Sequence, residues 1–298
     1  MLGAAITVNG FAAAVWWLAR QSYVTEVVPI GLRARALSTL AGARRFGFFA
    51  GPFLGAAAMQ WLGTDGAYWI HIASSVAAAG LLVVFPDRVV GQSRTSSTGA
   101  VSTLTVVRQH VPVLRTLGLA ALLVGATRAS RQAALPLWAA HIGLGPAEAS
   151  LVFGIAGLAD LLLFYPAGKV MDLYGRRWIG VPSMLVLGLS LALLPLAREP
   201  ESLVAVAVLM GIGNGMSSGI LMVLGADASP AVGRAQFLGA WRLCSDAGNG
   251  AGPLVLAGLL AVSSLAPALV VLGAVGVTAA AALQRWIPRS DTGRVRSS

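Results

Sequence analysis

The sequence predicts an all-α membrane protein with nine transmembrane helices, three before and six after a polar linker. Composition is the first observation, since only 11% of the 298 residues are charged and 57% are apolar. A soluble domain usually carries about a quarter charged residues. The second is that the apolar residues form continuous runs of roughly 20, long enough to cross about 30 Å of hydrocarbon. The third is that these runs do not alternate as the strands of a membrane barrel do.

The apolar runs define the predicted helices in order. They cover 1–19, 38–60, 66–86, 115–139, 147–167, 178–197, 203–225, 237–260 and 265–286. The longest connection, 87–114, is rich in Ser, Thr, Val and Arg, so we predict a linker there. Residues 1–86 would then form one bundle, 115–286 a six-helix bundle, and 287–298 a tail.

The basic residues set the predicted orientation. Most of the 21 lysines and arginines fall on one side if the N-terminus lies outside, and arginine-rich loops stay cytoplasmic. The linker and the C-terminal tail are then cytoplasmic. The net charge of +10 does not indicate nucleic-acid binding, because the basic residues lie between apolar runs and not on one polar face.

An internal repeat relates the two bundles. Residues 26–52 align without a gap to 227–253, and the matches include Glu26 with Asp227, Pro29 with Pro230, Arg33 with Arg234, Gly47 with Gly248, Gly51 with Gly252, and Pro52 with Pro253. Parallel repeats of this kind are typical of two-bundle transporters. Residues 1–86 would correspond to helices four to six of a six-helix half, so three further helices are expected before Met1.

Three elements resemble signatures of the major facilitator superfamily of secondary transporters. A predicted cytoplasmic loop carries Gly168, Asp172, Gly175, Arg176 and Arg177, similar to that family's G-x-x-x-D-x-x-G-R-R loop. The run with Gly47, Gly51, Pro52 and Gly55 resembles a Gly-Pro element known best from exporters, and both repeats carry an acid-x-x-Pro-x-x-x-Arg loop. The resemblance implies two helical bundles around a central cavity and covers the whole chain.

These elements each have a functional and a purely structural interpretation. By resemblance, Asp172 with Arg176 and Arg177 forms a conformational latch; the alternative is a solvated turn whose arginines only set topology. Gly168 and Gly175 would allow the sharp turn of such a loop. The Gly-Pro residues and their repeat partners Gly248, Gly252 and Pro253 would permit close packing and bending, with or without a gating role.

Three charges fall inside predicted helices: Arg128, Arg131 and Asp160. Ionisable groups within a bilayer are costly and usually functional. Arg128 and Asp160 lie near the middle of adjacent antiparallel helices, so their charges should lie at similar depth. One hypothesis is a switchable pair that couples proton movement to transport, and the alternative is a static ion pair between helices.

Polar residues on the two helices that the repeat makes equivalent are candidate substrate contacts. They are Asn9, Asn214, Ser217 and Ser218, and the family resemblance places them at the central cavity. The alternative is that they form hydrogen bonds between helices.

The sequence therefore favours a secondary transporter of the cell membrane and not an enzyme. It has no nucleotide-binding loop of the G-x-x-x-x-G-K-[S/T] type, so an ion gradient, most simply of protons, would supply the energy. The expected partners are the lipid bilayer, protons and a small amphipathic compound, with no cofactor, metal, nucleotide or nucleic acid. Proton-coupled export is favoured over import of a small metabolite and over a non-transporting remnant.

Overall fold

The computed structural model describes residues 30–84 and 102–288, together with isolated positions between 8 and 15. The chain divides into two compact units, one of Met1–Phe48 with Ser75–Thr95 and the other of Phe49–Ser74 with Ser96–Ser298. Throughout the described residues the regular structure is helical, with no strand, which confirms the predicted fold class.

Ten helices are described. They are α1 Ile30–Leu62, α2 Asp65–Val84, α3 Thr103–Gln109, α4 Val111–His141, α5 Pro146–Tyr174, α6 Arg177–Leu193, α7 Pro200–Met216, α8 Ile220–Ala228, α9 Arg234–Val262 and α10 Leu265–Trp286. A π-helical segment, Leu114–Gly118, lies near the start of α4, and a 3-10 turn, Leu194–Leu196, extends α6. The predicted spans 178–197 and 265–286 match these bounds closely.

Five segments within the described residues are long and apolar enough to cross a membrane. They are Val111–His141, Pro146–Tyr174, Arg177–Leu196, Pro200–Ala228 and Leu265–Trp286. The α9 helix is 29 residues long but carries the charged pair Arg242 and Asp246, and it is not among the five. The first predicted span falls mostly outside the described residues, so the number of nine helices and the orientation of the termini remain predictions.

Two helix starts follow directly from local sequence. Proline occupies the first helical position of both α5 and α7, where its missing N–H costs nothing. Before α5, the backbone N–H of Gly145 donates to Glu148 Oε2 at 2.8 Å. Before α7, the backbone N–H of Glu199 donates to Ser202 Oγ at 3.1 Å. These bonds satisfy backbone groups that each helix start would otherwise leave unpaired.

Two predicted segments differ from the observed helices. The predicted span 203–225 is not one helix, because residues 217–219 form a turn between α7 and α8. The predicted linker 87–114 contains α3 and the first residues of α4. The remaining part of that linker lies largely outside the described residues, and the domain boundaries and its cytoplasmic location remain predictions.

Glycines bring the helices of the larger unit into close contact. A Cβ at Gly248 or Gly252 of α9 would collide with the backbone oxygens of Leu122 or Ala126 on α4. A Cβ at Gly188 of α6 would lie 2.8 Å from a backbone oxygen of α10. Membrane helices associate through such small residues because lipid gives no hydrophobic drive for packing. Large apolar side chains such as Met222 and Val262 stay on the outside, more than 80% exposed, as a bilayer permits.

Candidate functional site

A polar network inside the larger unit joins three helices. Nε of Arg128 on α4 donates to Oδ1 of Asn214 on α7 at 3.0 Å. Nδ2 of Asn214 in turn donates to Oδ2 of Asp160 on α5. The two charges that the sequence placed at similar depth are therefore joined through a neutral amide, which uses its acceptor toward the cation and its donor toward the anion.

Close packing of α7 on α5 places Asn214 beside Asp160. A Cβ at Gly215 would lie 2.6 Å from the backbone oxygen of Asp160. One turn earlier, a Cβ at Gly211 would collide with the backbone oxygen of Ala156. Because these two glycines lie four residues apart, they share one face of α7 and let it approach α5 along two turns. The network therefore depends on positions that tolerate no side chain.

The end of α7 lies one turn beyond the network. Ser217 is fully buried, and its hydroxyl donates to the backbone oxygen of Asn214 at 2.9 Å. Glycines alternate through this segment at 211, 213 and 215, and a further glycine at 219 precedes α8. Glycine weakens a helix, and serine offers its backbone alternative hydrogen bonds. A predicted continuous span is therefore broken at residues 217–219.

Asn214 and Ser217 are thus engaged inside the protein, the first between helices and the second within α7. Ser218 lies in the turn and is half-buried. Asn9 lies outside the described residues. The assignment of all four to a substrate cavity remains a prediction. Asn214 does form hydrogen bonds between helices in this structure, as the alternative interpretation expects.

Arg131 lies one turn after Arg128 on α4 and takes no part in the Arg128–Asn214–Asp160 network. Its side chain is only 6% exposed. The guanidinium carbon lies 5.5 Å from the ring centroid of Phe153 on α5, and Asp160 attracts the charge electrostatically. Buried Nε and Nη1 of Arg131 have no hydrogen-bond partner among the residues that the structure describes.

A bidentate ion pair joins two predicted loop elements where α5 and α8 end. Nε of Arg176 lies 2.8 Å from Oδ2 of Asp227, and its Nη2 lies 3.3 Å from Oδ1. Arg177 donates through Nε to Oε1 of Gln284 on α10 at 2.7 Å. Asp172 is exposed at the end of α5. The partner of Arg176 is therefore the acid of the repeated loop and not Asp172 of its own loop.

The turn after α5 depends on one of the two predicted glycines. Gly175 has φ +97° and ψ 164°, a conformation that side chains rarely adopt, and its N–H donates to the backbone oxygen of Met171 at 3.1 Å. The prediction that Gly168 also forms the turn is wrong. The α5 helix runs unbroken to Tyr174, so Gly168 lies inside it.

Reversing the charges of the Arg176–Asp227 pair should test how strongly it joins the two loops. We expect Arg176→Asp and Asp227→Arg each to lower the stability of the purified protein, and the double variant to recover most of the loss. Partly exposed pairs contribute about 0.2–1 kcal/mol, and bidentate geometry places this pair at the upper end. Thermal unfolding in detergent across the double-mutant cycle measures the coupling. Strictly additive losses would show that the pair contributes nothing.

The remaining predicted positions have different surroundings in the structure. A Cβ at Gly47, Gly51 or Gly55 would meet no atom within 4 Å in the described part of the chain, in contrast to Gly248 and Gly252. Pro52 and Pro253 lie inside α1 and α9. Pro230 is half-buried and Arg234 is exposed at the start of α9. Glu26, Pro29 and the side chain of Arg33 lie outside the described residues. The roles of these positions remain predictions.

The five apolar helices that are long enough to cross a membrane, with charged side chains placed between them, define an integral membrane protein. The model of the Major Facilitator Superfamily matches residues 117–298 of the sequence. The chain belongs to the Major Facilitator Superfamily, which supports a secondary transporter and confirms the resemblance carried by its motifs.

A comparison with solved structures agrees with this fold. A crystal structure of a D-xylose–proton symporter superposes with a TM-score of 0.62 at 18% sequence identity, over 91% of this chain and 67% of the symporter. At that identity the likeness concerns the fold and not the substrate.

Proposed function

We propose that this protein is a proton-coupled secondary carrier that moves a small amphipathic compound by alternating access. The observation that carries the proposal is the Arg128–Asn214–Asp160 network between α4, α7 and α5. An ionisable group inside a membrane protein is expensive to bury, and such groups commonly mark proton pathways. Asp160 is the proposed proton carrier.

The network supports coupling because its geometry responds to one proton. An ionised Asp160 accepts from the amide of Asn214, whose oxygen accepts from Arg128. A protonated Asp160 gains a donor and loses its negative charge, so its attraction for the arginines falls. Protonation would therefore change the interactions that hold α4, α5 and α7 together. A two-state rearrangement biased by proton binding is what a coupled carrier requires.

The Arg176–Asp227 pair supports the second part of the proposal, a latch for one conformation. It joins the turn that follows α5 to the last turn of α8, so relative movement of these elements breaks it. A partly exposed pair is weak enough to open and re-form during a transport cycle. Asp172, Gly175 and Arg177 belong to the same predicted latch, whereas Gly168 lies inside α5 and is not part of the turn.

The direction of transport is proposed from the Gly-Pro elements alone. Their likeness to an exporter element favours efflux in exchange for protons across the cell membrane, and import of a small metabolite is the alternative. The polarity of the pH gradient that drives net flux in vesicles of known orientation decides between them.

Proteoliposomes test whether the network couples transport to protons. The full chain is reconstituted with the pH-sensitive dye pyranine inside, and a panel of small amphipathic compounds is added. We expect proton movement that depends on a compound and is absent from protein-free liposomes. Asn214→Leu, which removes both hydrogen bonds while keeping the number of side-chain heavy atoms, should lower this flux at least tenfold.

The matched control is Asn249→Leu, which changes an exposed asparagine on α9. It should leave the flux at the wild-type rate. Wild-type flux in Asn214→Leu would refute the coupling role of the network.

A further inference from the structure

We propose that Arg131 forms a binding site for the carboxylate of an organic monoanion. This inference rests on the proposed function, because it assigns a chemical class to the amphipathic compound. The site is the N–H edge of the Arg131 guanidinium, beside Phe153 and one helical turn from Arg128.

The burial of Arg131 is the first observation. Arg131 is 6% exposed, yet Nε and Nη1 of its guanidinium have no hydrogen-bond partner in the described ranges. An arginine carries five N–H donors and stays charged, so burying two of its nitrogens without a hydrogen-bond acceptor is costly. In an apolar helix such an arginine is expected to meet a partner.

The neighbouring groups do not supply that partner. The Phe153 ring attracts the cation through its π face, but it offers no carboxylate-like oxygen for the N–H groups. Asp160 attracts Arg131 electrostatically, but its Oδ2 accepts from Asn214, and no hydrogen bond joins its buried Oδ1 to Nε or Nη1 of Arg131. Within the described helices α4, α5 and α7, two arginines face one aspartate at this site. With Asp160 ionised, the cluster carries one net positive charge.

A monoanion balances that charge, and a carboxylate matches its geometry. The guanidinium presents parallel N–H donors whose spacing fits the two oxygens of a carboxylate. The aromatic ring of Phe153 and the apolar helix surfaces beside it suit an apolar group attached to the carboxylate. Small aromatic or aliphatic monocarboxylates therefore satisfy both the charge and the surroundings.

Binding of benzoate to the purified full chain tests the site, with benzyl alcohol as the neutral ligand of similar shape. Radiolabelled benzoate is titrated onto detergent-solubilised protein, and unlabelled benzyl alcohol serves as competitor. We expect saturable benzoate binding that excess benzyl alcohol does not displace. Absence of saturable benzoate binding to the wild-type protein would overturn the proposal.

Three variants assign the binding to Arg131. Arg131→Gln removes the charge and should weaken benzoate binding at least tenfold. Arg131→Lys keeps the charge but loses the parallel donors, so it should lie between Arg131→Gln and the wild type. Arg198→Gln, in the exposed loop before α7, is the matched control and should bind like the wild type. Because Arg131→Lys retains the buried cation, a folding defect confined to Arg131→Gln still leaves a readable comparison.

Equal benzoate affinity in the wild type and in both Arg131 variants would overturn the proposal. Its failure can be told apart from that of proton coupling. If the wild type does not bind benzoate but shows compound-dependent proton flux, only the proposal of the anion site is refuted. Benzoate binding that depends on Arg131, in a protein that shows no compound-dependent proton flux, supports the site and removes the coupling.

Discussion

Replacement of Asp160 by asparagine is expected to abolish pH-gradient-driven flux in proteoliposomes while leaving substrate exchange down its own gradient. Asparagine nearly matches aspartate in shape and still offers an oxygen to the amide of Asn214, but it can neither accept nor release a proton at neutral pH. Gradient-driven accumulation should therefore fall to the level of protein-free liposomes. The measurement is accumulation of a compound from the active panel with and without an imposed pH gradient.

Asp246→Asn is the matched control for this prediction. Asp246 lies on α9 and pairs with Arg242 at 3.1 Å, but both side chains are about half exposed, so the pair should contribute little. Its replacement should leave gradient-driven accumulation unchanged. Unchanged accumulation in Asp160→Asn would remove Asp160 from the mechanism. A drop in thermal stability with the pH response retained would instead identify a static pair that holds α4, α5 and α7 together.

The bounds of a helix were predictable from the sequence where the length of its apolar run determines them. The last predicted span, 265–286, has the bounds of α10, because serines precede its apolar run and an arginine lies at its end. The family prediction was confirmed, and Gly175 of one of its motifs has the positive φ that favours glycine. The break at residues 217–219 was missed because the segment carries no charged residue and is predominantly apolar. Its signal was the close spacing of Gly213, Gly215 and Gly219 around two serines.

The pairing of polar groups was less predictable than their depth. Counting residues along two antiparallel helices predicted that Arg128 and Asp160 lie at similar depth. It could not predict the direction in which each side chain points. The bridging role of Asn214 depends on the rotation of a third helix, which close packing at Gly215 fixes. Likewise Arg176 and Asp227 lie far apart in sequence and belong to separate motifs, so only the tertiary arrangement shows that they pair.

Substitution of Gly215 by leucine should both destabilise the protein and disable the network. A Cβ there would lie 2.6 Å from the backbone oxygen of Asp160, and backbone cannot move aside as a flexible side chain can. Overpacking of a close contact typically costs about 1–3 kcal/mol. The displaced α7 also carries Asn214 away from Asp160, so compound-dependent proton flux should fall at least tenfold in the protein that remains folded. Thermal unfolding in detergent and pyranine flux measure the two effects.

Gly250→Leu provides the matched control, since Gly250 lies within α9 and a Cβ there would meet nothing within 4 Å among the described residues. Leucine favours helix over glycine by somewhat under about 1 kcal/mol, so this variant should be as stable as the wild type or slightly more stable. Equal behaviour of the two leucine variants would show that α7 does not rest on the backbone of α5. The position of Asn214 would then need another cause, and the hydrogen bond from its amide to Asp160 would lose its structural basis.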